Sequence, residues 1–211
     1  MRSSFLSSVT VAVAGIAVGV SGPLLLATSS AVGEVAHLTL SAGWSWAALS
    51  FLSGTIGRTK AKSAAFGVIS LLFAVVSYYL TKAVQGDFLQ ADLADHTGQT
   101  MIMAWGDFLS MTALWCFAGA VLGPLLGIAG HLSRNGAYQL PFRVVVPLIV
   151  IVETTMRLGA EASMQKGIVA TTWSATRVLA VVAIIALVGW AALGNWRRRS
   201  ADGASRLAGR R

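Results

Sequence analysis

Six apolar stretches, each approaching the roughly 20 residues that a helix needs to cross a bilayer, constrain this chain more than any other feature. They run from Phe5 to Thr28, Leu38 to Ile56, Ser63 to Lys82, Leu109 to Ala129, Phe142 to Leu158 and Ile168 to Leu193. Hydrocarbon offers no water to pair with backbone groups, and a helix satisfies its own. The expectation is an all-α fold, a polytopic transmembrane helix bundle of about six spans over residues 1–196, then a basic, disordered cytoplasmic tail over 197–211. Only 11% of the 211 residues are charged and mean hydropathy is +0.71, whereas a soluble protein carries roughly twice that charged fraction. Arg2, Ser29 and Ala31 would suit a signal peptide around the first stretch. Its apolar region, Val9 to Ala27, is longer than a usual signal core and five more spans follow, so it reads as a retained span.

The formal charge of +8 does not point to nucleic acid, because the bases form no patch interleaved with aromatic residues. They mark every second connection instead: Arg2, then Arg58, Lys60 and Lys62, then Arg134 and Arg143, then six arginines from Arg197 onward. That places 12 of the 16 bases on one side, while Glu34, Asp87, Asp92, Asp95, Asp107 and Glu161 lie on the other. By the positive-inside rule both termini are cytoplasmic, in a multi-pass protein of the plasma membrane. Cys116 is the lone cysteine and reads as a small packing residue, so no disulfide framework exists. Asp92, Asp95 and His96 lack any cation-loop signature, and neither a metal nor a cofactor is expected.

Within the spans, Gly15 with Gly19 and Gly119 with Gly123 form GxxxG pairs that let helix backbones approach closely. The same two spans share the string Gly-Pro-Leu-Leu, at Gly22 to Leu25 and at Gly123 to Leu126, as a 3+3 inverted repeat or a coincidence would. Pro141 and Pro147 bracket the start of the fifth span, and Pro147 is expected to bend it. Trp105, Trp173, Trp190 and Trp196 fall at heights suited to interfacial belts. Trp44, Trp46 and Trp115 fall deeper, where an indole N–H needs an acceptor or a cavity.

The fifth span carries the candidate site. Its run VVVPLIVIVETTMR holds Glu153 and Arg157 at an i, i+4 spacing that lets them pair on one helical face. Ionisable residues at membrane depth are expensive and mark functional sites by default. Arg177 of the sixth span reaches a similar height, leaving one arginine for Glu34, Asp107, Glu161 or an anionic ligand. Glu34 and His37 lie one turn apart at the outer start of the second span. A structural ion pair with one snorkelling arginine is the plainer account. The functional one is an outer-half pocket lined by Trp44, Trp46, Glu153, Arg157 and Arg177, with Glu34, His37 and Asp107 as further ligand-binding candidates. It would bind or transport a small, anionic molecule. No nucleophile elbow, phosphate loop or HExxH motif occurs. Acid catalysis by Glu153 on an isoprenoid or lipid is the enzymatic alternative, and pairing with Arg157 opposes it. A structural role in assembly with a membrane-protein partner or a second copy of the chain completes the set.

Four strings carry a resemblance: GWSWAALSFLSG at Gly43 to Gly54, SYYLT at Ser77 to Thr81, GPLLGIAG at Gly123 to Gly130 and PLIVIVE at Pro147 to Glu153. In this order, over about residues 30–155, the chain resembles an uncharacterised family of small actinobacterial integral membrane proteins, a domain of unknown function. The resemblance implies a membrane protein and no particular reaction. The six-span layout also resembles the substrate-binding subunits of energy-coupling-factor vitamin transporters, with Gly15 and Gly19 in a small-residue first helix. Membrane-embedded terpene cyclases are similar in pairing an intramembrane acid with deep indoles, but their Asn-x-x-Trp-Glu string has no counterpart here.

Overall fold

Small residues decide which helices of this protein touch. The computed structural model describes residues 2–28, 30–92, 100–135, 139–161 and 167–208. Among these, eight helices and one short hairpin occur: α1 (Arg2–Leu26), α2 (Ala31–Leu40), α3 (Gly43–Ile56), α4 (Lys60–Val84), β1 (Leu89–Ala91), β2 (Met101–Met103), α5 (Trp105–Asn135), α6 (Gln139–Arg143), α7 (Val145–Glu161) and α8 (Gly167–Ala208). The two strands pair antiparallel, with Leu89 opposite Met103, and join α4 to α5. Gly15 and Gly19 of α1 lie against the α4 backbone at Ser70 and Ala74. On the other flank of α4, Gly123 and Gly127 of α5 meet Gly67, Val68 and Ser63. Both expected GxxxG pairs therefore pack on one helix, and α4 becomes the axis of the bundle. Gly54 of α3 rests on Gly127, and Gly130 of α5 rests on Phe51, which closes a tight α3–α4–α5 core.

Among the described residues, four helices are long and apolar enough to cross a membrane: α1 from Phe5, α4, α5, and α8 as far as Leu193. The chain is thus an all-helical protein of membrane type. The second expected span is not one helix. The stretch from Leu38 to Ile56 takes in the last residues of the 10-residue α2, breaks at Ser41 and Ala42, and continues as the 14-residue α3. The fifth is the 17-residue α7, preceded by the single turn of α6. Pro147 does not bend a continuous helix there. It occupies the first turn of α7, where its missing N–H would have had no intrahelical acceptor. Helix α8 carries on to Ala208, through the segment read from sequence as a disordered tail. Of the three loop residues weighed and set aside as cation ligands, Asp95 and His96 lie outside the described residues.

The two Gly-Pro-Leu-Leu strings have one feature in common. The Gly22 carbonyl in α1 accepts from His37 Nδ1 of α2 at 2.7 Å, and the Gly123 carbonyl in α5 accepts from Ser50 Oγ of α3 at 3.3 Å. Charge is segregated along the bundle. Arg58, Arg134 and Arg143 gather at the end opposite the hairpin, where Arg134 Nη1 donates to the Thr55 carbonyl and Arg143 Nε to that of Ser133. Lys82 and Asp87 form a 3.0 Å ion pair at the hairpin end.

A Cβ at Gly127 would collide with the Ser63 carbonyl oxygen, whereas one at Gly106 would meet nothing within 4 Å. Gly127→Val is expected to destabilise the detergent-solubilised protein by about 1–3 kcal/mol, the usual range for overpacking. Gly106→Ala should leave its unfolding midpoint within a degree or so of the parent. Thermal unfolding followed by tryptophan fluorescence reads both.

Candidate ligand-binding groove

Where a helix breaks inside apolar surroundings, each end leaves backbone groups that something else must satisfy. Helices α2 and α4 bring their own caps, since Ser30 Oγ accepts from the Gly33 N–H and Thr59 Oγ1 from that of Lys62. Helix α3 does not, because its N-cap is Ala42. Glu153 fills the gap from a different helix. Its Oε1 accepts the Gly43 N–H at 3.0 Å and its Oε2 the Trp44 N–H at 2.7 Å. The facing end of the break is met from inside α3. Trp46 Nε1 donates to the Leu40 carbonyl at 2.9 Å, and Ser45 Oγ donates to that of Thr39. The string Gly43 to Trp46 thus works as a splice: two backbone donors for Glu153, and two side-chain donors for the carbonyls of α2.

Arg157 Nε donates to Glu153 Oε1 at 3.0 Å, the i, i+4 pair expected from sequence. Its guanidinium also lies over the Trp173 ring, 4.9 Å from the centroid, in cation–π range. Trp173 is only 2% exposed, so the interfacial place expected for it does not hold. It packs in a cluster with Ala42 and Val169, walled by Leu38, Trp44, Leu158 and Ile168. Trp44 is therefore a packing residue whose backbone serves the site. The buried Nε1 atoms of Trp44 and Trp173 have no hydrogen-bond partner among the described residues.

Beside the ion pair a cavity of about 340 Å³ runs between α5 and α7, floored by α3 and α4. Its polar end is formed by Ser41, Gly43, Glu153 and Arg157. Trp46, Tyr78, Tyr79 and Trp115 supply an aromatic wall, and Leu71, Val75, Ala118, Gly119, Leu122 and Leu126 the rest. Trp46 meets Tyr78 edge to face, with ring centroids 5.6 Å apart. Of the eight residues singled out from sequence, Glu153, Arg157 and Trp46 converge here, and Trp44 touches the site through its N–H.

The others lie elsewhere. Arg177 is half-buried on α8, does not line the cavity, and has no hydrogen bond or ion pair among the described residues. Glu34 and the exposed Asp107 do not pair with it, and the Glu161 side chain lies outside the described residues. His37 turns away from Glu34 to the Gly22 carbonyl and Ser41 Oγ. Sequence reasoning did not place Tyr78, Tyr79 and Trp173 in the site. The adjacent tyrosines of SYYLT were the available signal, because a paired phenol deep in a span needs a wet or polar neighbour.

Glu153 holds both a neighbouring helix and Arg157, so its removal should cost more than the loss of Arg157. Glu153→Ala is expected to destabilise the protein beyond Glu153→Gln by about 0.5–2 kcal/mol, the cost of an empty N-cap. Adding Arg157→Met to Glu153→Ala should recover only the part due to the stranded guanidinium. Chemical denaturation of the parent, the three single variants and the double variant in one detergent measures the cycle. No family model matches the chain, and no curated protein or solved structure is significantly similar to it, so its function has to be argued from this geometry.

Proposed function

We propose that this protein binds, and in a membrane transports, a small molecule in the groove between α5 and α7. The observation that carries the reading is the broken helix α2–α3, whose α3 N-terminus opens onto the groove at Gly43. Discontinuous helices in membrane proteins recur where a ligand or ion meets freed backbone groups and a half-helix dipole. Here the freed backbone groups are met by Glu153, Trp46 and Ser45 at the edge of the cavity, and Glu153 is paired with Arg157. The sequence suggested an anionic or carboxylate-bearing ligand, and Arg157 is the basic residue that lines the cavity among the described residues. Arg177, outside the cavity, contributes nothing to it.

In this reading α2–α3 and α7 complete six crossings. The two broken pieces are about 15 and 21 Å long and α7 about 25 Å, against a hydrocarbon core of roughly 30 Å. The basic end of the bundle then faces the cytoplasm and the plasma membrane is the site of action. Acid catalysis fits less well. Glu153 already accepts from Gly43, Trp44 and Arg157, so both of its oxygens are engaged by protein donors rather than by a substrate.

A thermal-shift panel of small carboxylates, amines and neutral compounds, both water-soluble and lipophilic, tests the proposal. At least one carboxylate-bearing compound is expected to stabilise the purified protein, by about 2.7 kcal/mol at 100 times its Kd. Ala118→Phe, which fills the cavity from α5, should abolish that shift. A panel in which amines or neutral compounds stabilise as well as carboxylates, or in which none does, contradicts it.

A further inference from the structure

The end of the bundle away from the hairpin carries positive charge that no described acid answers. Arg58, Lys60 and Lys62 lie on the turn from α3 into α4, all three exposed, and none has a side-chain hydrogen bond or ion pair among the described residues. Arg134, at the end of α5, and Arg143, on α6, are exposed at the same end. The described acid side chains, Glu34, Asp87, Asp92, Asp107 and Glu153, belong to the hairpin end or to the α2–α3 break. Five positive groups thus share one surface with no described acid on it.

The platform that carries them is fixed by backbone contacts. Gly57, between α3 and α4, packs so closely on Ser63 that a Cβ there would overlap its Oγ. The Gly57 carbonyl accepts from His131 Nδ1 at 3.1 Å, and the Thr55 carbonyl accepts from Arg134 Nη1 at 3.1 Å. Arg143 Nε donates to the Ser133 carbonyl at 3.0 Å, and its Nη2 donates to Gln139 Oε1. A guanidinium has several N–H donors, so both arginines are held in place and keep donors to spare. Like charges held together repel, and their counter-ions have to come from outside the protein.

Depth indicates which counter-ions those are. Helix α4 has 25 residues and is about 37 Å long, against a hydrocarbon core of roughly 30 Å. Set across a membrane, its first turn, with Lys60 and Lys62, stands at the level of the lipid head groups. Just inside that level the last two turns of α3 present Leu52 and Ile56, 61% and 43% exposed, as apolar surface. We infer that this end of the protein holds anionic phospholipids of the adjoining leaflet. Their phosphates lie against the α3–α4 turn and Arg134, and their chains run along Leu52 and Ile56. Basic residues beside a membrane attract anionic head groups over about a Debye length, and salt screens the attraction. The inference does not depend on what the groove binds. The arginines of 197–199 are the competing address for such lipids.

The full chain in phosphatidylcholine nanodiscs, with and without phosphatidylglycerol, tests this, with the unfolding midpoint read by tryptophan fluorescence at low salt. Phosphatidylglycerol is expected to raise the midpoint by several degrees, and high salt to remove most of the rise. The triple variant Arg58→Gln, Lys60→Gln, Lys62→Gln removes only exposed, unpartnered charges. Its midpoint in phosphatidylcholine should match the parent's, while the rise shrinks at least twofold. Arg58→Lys with Lys60→Arg and Lys62→Arg should keep the rise, and so should Arg197→Gln with Arg198→Gln and Arg199→Gln. A rise unchanged in the glutamine variant of the turn, or lost as fully in the tail variant, overturns the assignment. An equal rise with phosphatidylethanolamine in place of phosphatidylglycerol overturns it too, since net charge would then play no part. An equal rise on adding glycerol phosphate to phosphatidylcholine discs makes the surface a site for soluble phosphates and overturns the lipid. No rise with phosphatidylglycerol overturns the inference outright.

Discussion

Two N–H groups at the start of α3 have no partner on their own helix, and the carboxylate that accepts them arrives from α7, 110 residues along the chain. Unpaired backbone groups in an apolar setting cost several kcal/mol each, and Glu153 stabilises the break between α2 and α3 by accepting both. The same carboxylate holds Arg157, and Arg157 in turn covers Trp173. One side chain thereby ties α3, α7 and α8 together. Half-exposed ion pairs contribute little to stability as a rule, but this one has side chains only 20% and 34% exposed, and its acid is also a cap.

The groove is a consequence of how the helices divide their contacts. Helix α4 takes α1 on one flank and α5 on the other through small residues, at separations that only glycine and serine permit. Helix α7 packs instead on α8 and on the start of α3. Between the α4-centred block and the α7–α8 pair, α3 is the bridge, and its first turn is held both by Glu153 and by the packing of Ala42 and Trp44 on Trp173. The space left over is lined by the bulky side chains that face it, Trp46, Tyr78 and Trp115.

Much of this was legible in the sequence. The i, i+4 spacing of Glu153 and Arg157 gave their pairing, the GxxxG pairs gave two close helix contacts, and the depth of Trp46 gave its need for an acceptor. The break at Ser41–Ala42 was not legible, because the apolar run continues through it without a proline or a charge. Without the break there is no orphan N–H for Glu153 and no freed Leu40 carbonyl for Trp46, so the cap and the splice were hidden together. Height alone misplaced Trp173. An indole near the end of a span can face lipid or core, and the arginine that turns it inward lies on another helix. Arg177 was assigned to the site on the same kind of height argument; it lies one helical turn beyond Trp173 and does not line the cavity. The resemblance to a small actinobacterial membrane family remains an expectation drawn from four short apolar strings.

The claim on which the rest depends is that Glu153 holds the α3 N-terminus. Amide hydrogen exchange at Gly43 and Trp44, in the parent protein and in Glu153→Ala, measures it directly. Protection at these two amides should fall by at least tenfold in the variant, while Ala47, whose N–H is bonded within α3, should change far less. Equal protection of Gly43 and Trp44 in the two proteins would contradict the account, because some other group would then be capping the broken helix.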